Sequence, residues 1–272
     1  MFDYKKYLRT EKLPHIWCPG CGDGIIMKAM IRAIDKLGLK KDKIAMVSGI
    51  GCSSRTPGYI DVNTLHTTHG RPIPFAIGIK AVKPEMNVIV VTGDGDGVAI
   101  GGNHFIHAAR RNIDITVLLY NNWTYGMTGG QASPTTHIGD FATTTPYGSI
   151  DQPFDICRLA EASGASFVAR GTTFHSVLLT NLIEKALRKK GFSLVEIYTQ
   201  CPTYYRSKGK RISAMDMMQG FKESSITAEA AKKMSPEELK DKTIIGVLVD
   251  RNLPEYLDEY KKLIERVQSK EK

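Results

Sequence analysis

Two groups of side chains in this sequence have types and spacings suited to chemistry. The first is Gly93-Asp94-Gly95-Asp96-Gly97, which closes the apolar run 87–92, together with Asn121-Asn122, which closes the run starting at Ile113. Glycines at 93, 95 and 97 let the backbone approach a ligand and aim amide donors at phosphate oxygens. Asp94 offers a hard anionic oxygen, Asn122 a neutral one, and a backbone carbonyl near residue 124 a third. With two diphosphate oxygens and a water these complete the octahedral oxygen shell that magnesium demands. The second group is cysteine: Cys18-Pro19-Gly20-Cys21, Cys52, Cys157 and Cys201.

Other phosphate and cation motifs fail on spacing. A nicotinamide-type GxGxxG needs a glycine at Val98 or Ile100, and no GK[ST] of a P-loop is present. Asp94 and Asp96 resemble the start of an EF-hand, yet its twelfth position is Phe105 rather than glutamate. A tight turn without any ligand is the bland alternative, and the asparagine pair at the end of the next run weighs against it.

Five cysteines is an odd count, and the N-terminal stretch MFDYKKYLRTEKLPH has no apolar signal-peptide core. A disulfide framework is therefore disfavoured, and metal or redox use is the better reading. Taken alone, CPGC suits a redox pair, half a zinc site or half an iron–sulfur site. No strand pattern precedes it, which weakens the redox-pair reading. Cys52 and Cys201 each end an expected strand, on the edge that carries the metal corner, so Cys18, Cys21, Cys52 and Cys201 can converge there. Cys157 sits in a helical pattern and reads as an ordinary buried thiol. Residue types alone do not separate tetrahedral Cys₄ zinc from a [4Fe–4S] cluster.

The elements that must position these groups alternate between helix and strand. Ile25, Ile26, Ala29, Met30, Ala33, Ile34 and Leu37 recur at helical spacing, with Asp23 as N-cap and Gly38 as a stop. A short strand over 43–47 follows, then an irregular 56–74 rich in Thr, Gly, Pro and His, then a helix over 75–82. Strand 87–92, helix 101–111 and strand 113–120 make a parallel βαβ crossover. The long segment 123–153 has the glycines, prolines and threonines of a functional loop. Helix 154–163, strand 166–169, helix 173–189 and strand 193–199 continue the alternation. The tail adds a helix starting at Ser235-Pro236, a strand over 244–249 and a charged helix over 255–268. The fold expected is α/β, a mostly parallel sheet flanked by helices, with ligands outside the carboxyl ends of its strands. Residues 1–210 form its main domain and 211–272 a C-terminal extension.

The formal net charge is +9. Part of this is solvated helix surface near the Lys-rich end, and the rest suits anionic ligands or an acidic partner. Basic residues are dispersed without a nucleic-acid signature, so no nucleic acid is expected. No apolar stretch approaches the roughly 20 residues of a membrane span. A cytoplasmic location is expected.

Gly93-Asp94-Gly95 followed by Asn121-Asn122 resembles the thiamine diphosphate motif. The fuller text from about Trp17 to Pro202, above all residues 93–136, is similar to the β subunit of 2-oxoacid:ferredoxin oxidoreductases. That likeness implies the pyrophosphate-type thiamine diphosphate fold. Mg²⁺ would sit on Asp94, Asn122 and the Thr124 carbonyl. Gly95, Asp96, Gly126 and Met127 would line the diphosphate and thiazolium, with Ile50, Gly51, Cys52 and Ser53 packing from the other side. A [4Fe–4S] cluster would sit on Cys18, Cys21, Cys52 and Cys201. The implied reaction is CoA-dependent oxidative decarboxylation of a 2-oxoacid, with electrons passing through the cluster to ferredoxin.

Arg55 follows Cys52-Ser53-Ser54, and its planar fork suits a substrate carboxylate. Within the family, Arg55 with Met127 looks more like the 2-oxoglutarate type than the pyruvate type. His66, His69 and Arg71 are candidates for the pocket or a partner interface. The chain is too short to hold a pyrimidine-binding domain as well, so an α subunit is expected to supply that domain and its activating glutamate, with room for further small subunits. Pyruvate or broad 2-oxoacid specificity, a non-redox thiamine diphosphate decarboxylase or synthase subunit, and a zinc-stabilised structural or binding subunit remain the alternatives.

Overall fold

The apolar runs expected to be strands assemble into one sheet in the computed structural model, which describes residues 2–269. Its eight strands are β1 (Ile44–Ser48), β2 (Asn63–His66), β3 (Asn87–Gly93), β4 (Thr116–Asn121), β5 (Phe167–Thr172), β6 (Ser193–Tyr198), β7 (Ser225–Thr227) and β8 (Thr243–Asp250). Their spatial order is β7-β8-β5-β6-β4-β3-β1-β2. Neighbours pair in parallel except β8, which lies antiparallel to β5.

The central runs are apolar throughout because both faces of the sheet are covered. Alternate residues sort onto the two faces. Met46, Ile89, Val91, Leu118 and Tyr120 pack beneath α1 (Asp23–Lys36) and a later helix over Ser176–Arg188. Ala45, Val47, Val88, Val90, Val117 and Leu119 pack against α2 (Pro72–Val82), α3 (Gly102–Arg110) and α4 (Ile156–Ala162). Ile34 of α1 is fully buried, and Ile34→Ala should cost roughly 2–5 kcal/mol.

Four local differences from the sequence reading have physical causes. Residues 56–74 are not irregular throughout: Thr56–Tyr59 forms a helical turn, and Asn63–His66 pairs with β1 as an edge strand. An open strand edge recruits polar residues that composition assigns to a loop. Asp23 is not an N-cap but the first helical residue, after Gly22, and its side chain is buried. The strand expected from Ile113 starts only at Thr116. The glycine corner runs first into a wide π-type turn over Gly95–Ile100, with Gly101 N donating to Asp96 O at 3.1 Å. Such wide turns accumulate at functional sites.

The segment 211–272 adds β7 and β8 to the sheet, and its terminal helix over Tyr256–Gln268 buries no residue. Within 123–153 the regular pairing is a two-residue ribbon, Thr124–Tyr125 against Gln131–Ala132. Among the described residues no helix is long and apolar enough to cross a membrane.

Candidate active site

From β1 the chain moves outward to β2, whereas β3 lies on the other side of β1 and leads to β4. The connections therefore diverge between β1 and β3, and such a switch point opens a crevice at the carboxyl ends of the strands. The loop after β1 supplies Ile50, Gly51, Cys52 and Ser53 to this cleft, and the corner after β3 supplies Gly93 to Asp96. Asn122, Thr124, Gly126 and Met127 reach it from the loop after β4.

Asp94 is buried, and its Oδ2 accepts 2.6 Å hydrogen bonds from Ser133 Oγ and Thr135 Oγ1. Burial raises the Asp94 pKa, while the two hydroxyls pull it back. Ser133 and Thr135 come from the 123–153 loop and were not singled out in the sequence. The hydroxyl-dense Ser133-Pro134-Thr135-Thr136 was the available signal.

Asp96 acts as a hub. Its Oδ1 accepts from Ile50 N (3.1 Å), Gly70 N (2.7 Å) and His69 Nδ1 (2.7 Å), and its Oδ2 from Thr92 Oγ1 (2.6 Å). One carboxylate thus ties the loops after β1, β2 and β3 together. A Cβ on Gly95 would run into the Tyr125 ring, so only glycine lets the corner close against that loop.

Asn122 Oδ1 accepts from Thr124 N at 3.2 Å. Between them Trp123 adopts φ = 61°, a left-handed conformation that is costly for a bulky residue. Asn121 Oδ1 accepting from Trp123 N and Thr136 Oγ1 donating to Trp123 O hold it there, at 3.2 and 2.7 Å. The indole packs against Tyr198, Tyr205 and Phe221.

Cys18, Cys21, Cys52 and Cys201 line one cavity, with Arg55 and Met127 also in its wall. Cys52, Asn122, Gly126 and Met127 line both this cavity and the cleft, so the two share a wall. Burial pushes the Cys52 thiol up to about 12, with the Asp23 carboxylate adding to the rise. Cys21 and Cys201 are likewise raised, mainly by burial. Asp23 also lines the cleft; its Oδ2 is buried without a hydrogen-bond partner, and burial raises its pKa to about 7. Cys157 lies apart, buried in α4.

His69 stands at the cleft, but His66 sits on the edge strand, paired with Ser48 Oγ at 2.9 Å. Arg71 donates to the carbonyls of Gly70 and Ile100 and so fastens two loops. Among the described residues no three His, Cys, Asp or Glu side chains are grouped to hold a single metal ion. The donor sets nevertheless suit the groups that the sequence implied. Hard oxygens stand at Asp94, Asn122 and Thr124, and soft sulfurs surround the adjoining cavity. An orphaned buried carboxylate oxygen lies at the cleft, where a ligand would give it a partner.

Residues 49–197 match the family described as thiamine pyrophosphate enzyme, C-terminal TPP binding domain. Fold and cleft are thus those of a thiamine diphosphate-binding domain. The chain is 53% identical to the 2-oxoglutarate synthase subunit KorB of Methanocaldococcus jannaschii over 97% of this chain and 98% of that one. It is 40% identical to the β subunit of 2-oxoacid:ferredoxin oxidoreductase 2 from Aeropyrum pernix, covering 85% of this chain and 79% of that one. A solved 2-oxoglutarate:ferredoxin oxidoreductase from Magnetococcus marinus, with 2-oxoglutarate, coenzyme A and succinyl-CoA bound, superposes with a TM-score of 0.88. The identity there is 33%, over 98% of this chain and 91% of that one. The chain belongs to the β subunits of the 2-oxoacid:ferredoxin oxidoreductases.

Proposed function

We propose that this chain is the thiamine diphosphate- and cluster-carrying subunit of an enzyme that oxidatively decarboxylates 2-oxoglutarate to succinyl-CoA and passes the electrons to ferredoxin. The observation that carries the reading is the shared wall: a thiamine-type cleft and a four-cysteine cavity meet at Cys52, Asn122, Gly126 and Met127. The 2-oxoglutarate assignment is supported by the names of relatives above and by Arg55 in the same cavity wall.

Thiamine diphosphate supplies a nucleophilic carbon for the 2-oxo group and a sink for the electron pair left by carbon dioxide. The residues of this chain orient and insulate. Asp94, Asn122 and the Thr124 carbonyl would hold Mg²⁺ against the diphosphate, with Ser133 and Thr135 keeping Asp94 in place. Gly95 and Gly126 bring backbone close to the cofactor, while Ile50, Gly51, Ser53, Asp96 and Met127 close the walls around it. Arg55 would pair with the distal carboxylate of the substrate and set its orientation. Cys18, Cys21, Cys52 and Cys201 would hold a [4Fe–4S] cluster near the reacting carbon.

An α subunit would complete the cofactor site with a pyrimidine-binding domain and its glutamate, with room for further small subunits. The assembly would work in the cytoplasm, with residues 1–210 as the cofactor-binding unit and 211–272 as an extension of it. The test is anaerobic purification of the co-expressed complex. Iron and acid-labile sulfide in equal amounts, with ferredoxin reduction that needs thiamine diphosphate, CoA and 2-oxoglutarate, are expected. Stoichiometric zinc without thiamine dependence would sink the reading. Iron-free protein that still decarboxylates with thiamine diphosphate would reduce it to a non-redox subunit.

A further inference from the structure

Asn121, the first of the asparagine pair, has no role in the ligand set above, yet it is buried at the metal corner. Its Nδ2 donates to Glu196 Oε1 at 2.8 Å, across the β4–β6 pairing. Its Oδ1 accepts from Trp123 N and lies 2.8 Å from Thr135 Oγ1, the hydroxyl that also contacts Asp94. Glu196 is 1% exposed, and its other oxygen takes Arg170 Nε at 2.7 Å and Cys157 Sγ at 3.1 Å. Arg170 is 9% exposed; it donates to Asp155 at 2.8 Å, and its guanidinium lies 5.5 Å from the centre of the Tyr198 ring. Tyr198 in turn packs edge-on against Trp123 at 5.1 Å.

A buried ion pair is a poor stabiliser compared with apolar packing, so its presence in a sheet core asks for another reason. An asparagine amide can be turned either way, and only the orientation with Nδ2 toward a carboxylate leaves Oδ1 for Trp123 N. We infer that Glu196 and Arg170 are positioning residues for the cofactor site. Glu196 fixes the Asn121 amide, and Arg170 braces Tyr198 against Trp123. Together they hold the strained 121–124 turn that presents Asn122 and the Thr124 carbonyl. The inference rests on the Mg²⁺–thiamine diphosphate reading of that corner.

The test uses the assembled complex and measures the Kd for thiamine diphosphate with Mg²⁺ by calorimetry, alongside kcat and the thermal midpoint. Asn121→Asp sets two carboxylates against each other and should raise Kd about 10- to 100-fold, the usual cost of disturbing an outer-shell partner. Adding Glu196→Gln restores a donor–acceptor pair with residue 121 at unchanged total charge, so the double variant should recover part of the lost affinity, the remainder reflecting the charged partner that Arg170 loses. At saturating cofactor, kcat should return in both. An unchanged Kd in Asn121→Asp, or no recovery in the double variant, overturns the inference.

Should Asn121→Asp assemble poorly, Arg170→Lys keeps the charge but loses the two-ended fork. It should still raise Kd, and a lowered thermal midpoint with Kd unmoved would mean a structural role alone. Wild-type complex that shows no Mg²⁺-dependent cofactor binding would remove the reading of the corner itself, and this inference with it.

Discussion

Trp17 donates its indole N–H to the carbonyl of Cys52 at 2.8 Å, so the residue beside Cys18 is pinned to the loop carrying a third cysteine. The indole is buried and lies edge-on to Tyr59 at 5.0 Å, and the Tyr59 hydroxyl accepts from Ile16 N at 3.0 Å. This bond ties the two cysteine loops to each other. Trp17→Phe keeps an aromatic ring and removes the donor. Folding should lose about 1 kcal/mol from the hydrogen bond, with a further loss from the space the smaller ring leaves. On the proposed cluster reading, that variant should lose its cluster to a chelator about tenfold faster than the wild type, followed by the decay of its visible absorption.

Acid should strip the cofactor earlier than ordinary carboxylates predict. Burial raises the Asp94 pKa more than Ser133 and Thr135 lower it. On the proposed ligand set Mg²⁺ needs the Asp94 carboxylate, so its affinity should be complete above that raised value and fall as pH drops through it. For the metal-free chain the sign is opposite. Between the ordinary and the raised pKa the folded state binds more protons than the unfolded one, so stability falls as pH rises through that window. Ser133→Ala removes one lowering bond and should move the acid limb of Mg²⁺ affinity to higher pH. Titration calorimetry across the acid range checks this; superimposable limbs would contradict it.

Gly95→Ala should be far worse than Gly93→Ala, because a Cβ on Gly95 meets the Tyr125 ring whereas one on Gly93 makes only ordinary contacts. Displacing that ring should cost about 1–3 kcal/mol and weaken thiamine diphosphate binding. Tyr125→Ala in the same chain clears the space and should recover the thermal midpoint, though not the full affinity.

Arg55→Ala should separate substrates. On the proposed pairing of Arg55 with the distal carboxylate, losing a charge-assisted pair of about 1.5–3 kcal/mol should lower kcat/KM for 2-oxoglutarate roughly ten- to hundredfold. Pyruvate has no distal carboxylate and should change little. Equal losses on both substrates in the assembled enzyme would remove Arg55 from that role.

Much of this molecule was legible in the residue order. The apolar runs 87–92 and 113–120 announce strands covered on both faces, and the glycine corner and Asn122 that follow them are brought to one cleft. Cysteines assigned to strand ends and a separate CPGC turn do line one cavity. Periodicity and turn chemistry act over a few residues, which is why sequence alone reports them.

The partners of the site were decided by tertiary structure. Ser133 reaches Asp94 across 39 residues and Glu196 reaches Asn121 across 75. Strand order, not local preference, puts them side by side. Sheet pairing also made an edge strand of polar Asn63–His66 and drew the 225–250 segment onto the far edge. Asp23 reads as a helix cap from its neighbours. Helix packing instead buries it at the cleft, where a carboxylate oxygen is left without a partner. The sequence by itself determined which atoms are available for chemistry. Only the sheet order, by bringing distant strand ends to one edge, decided which of them meet.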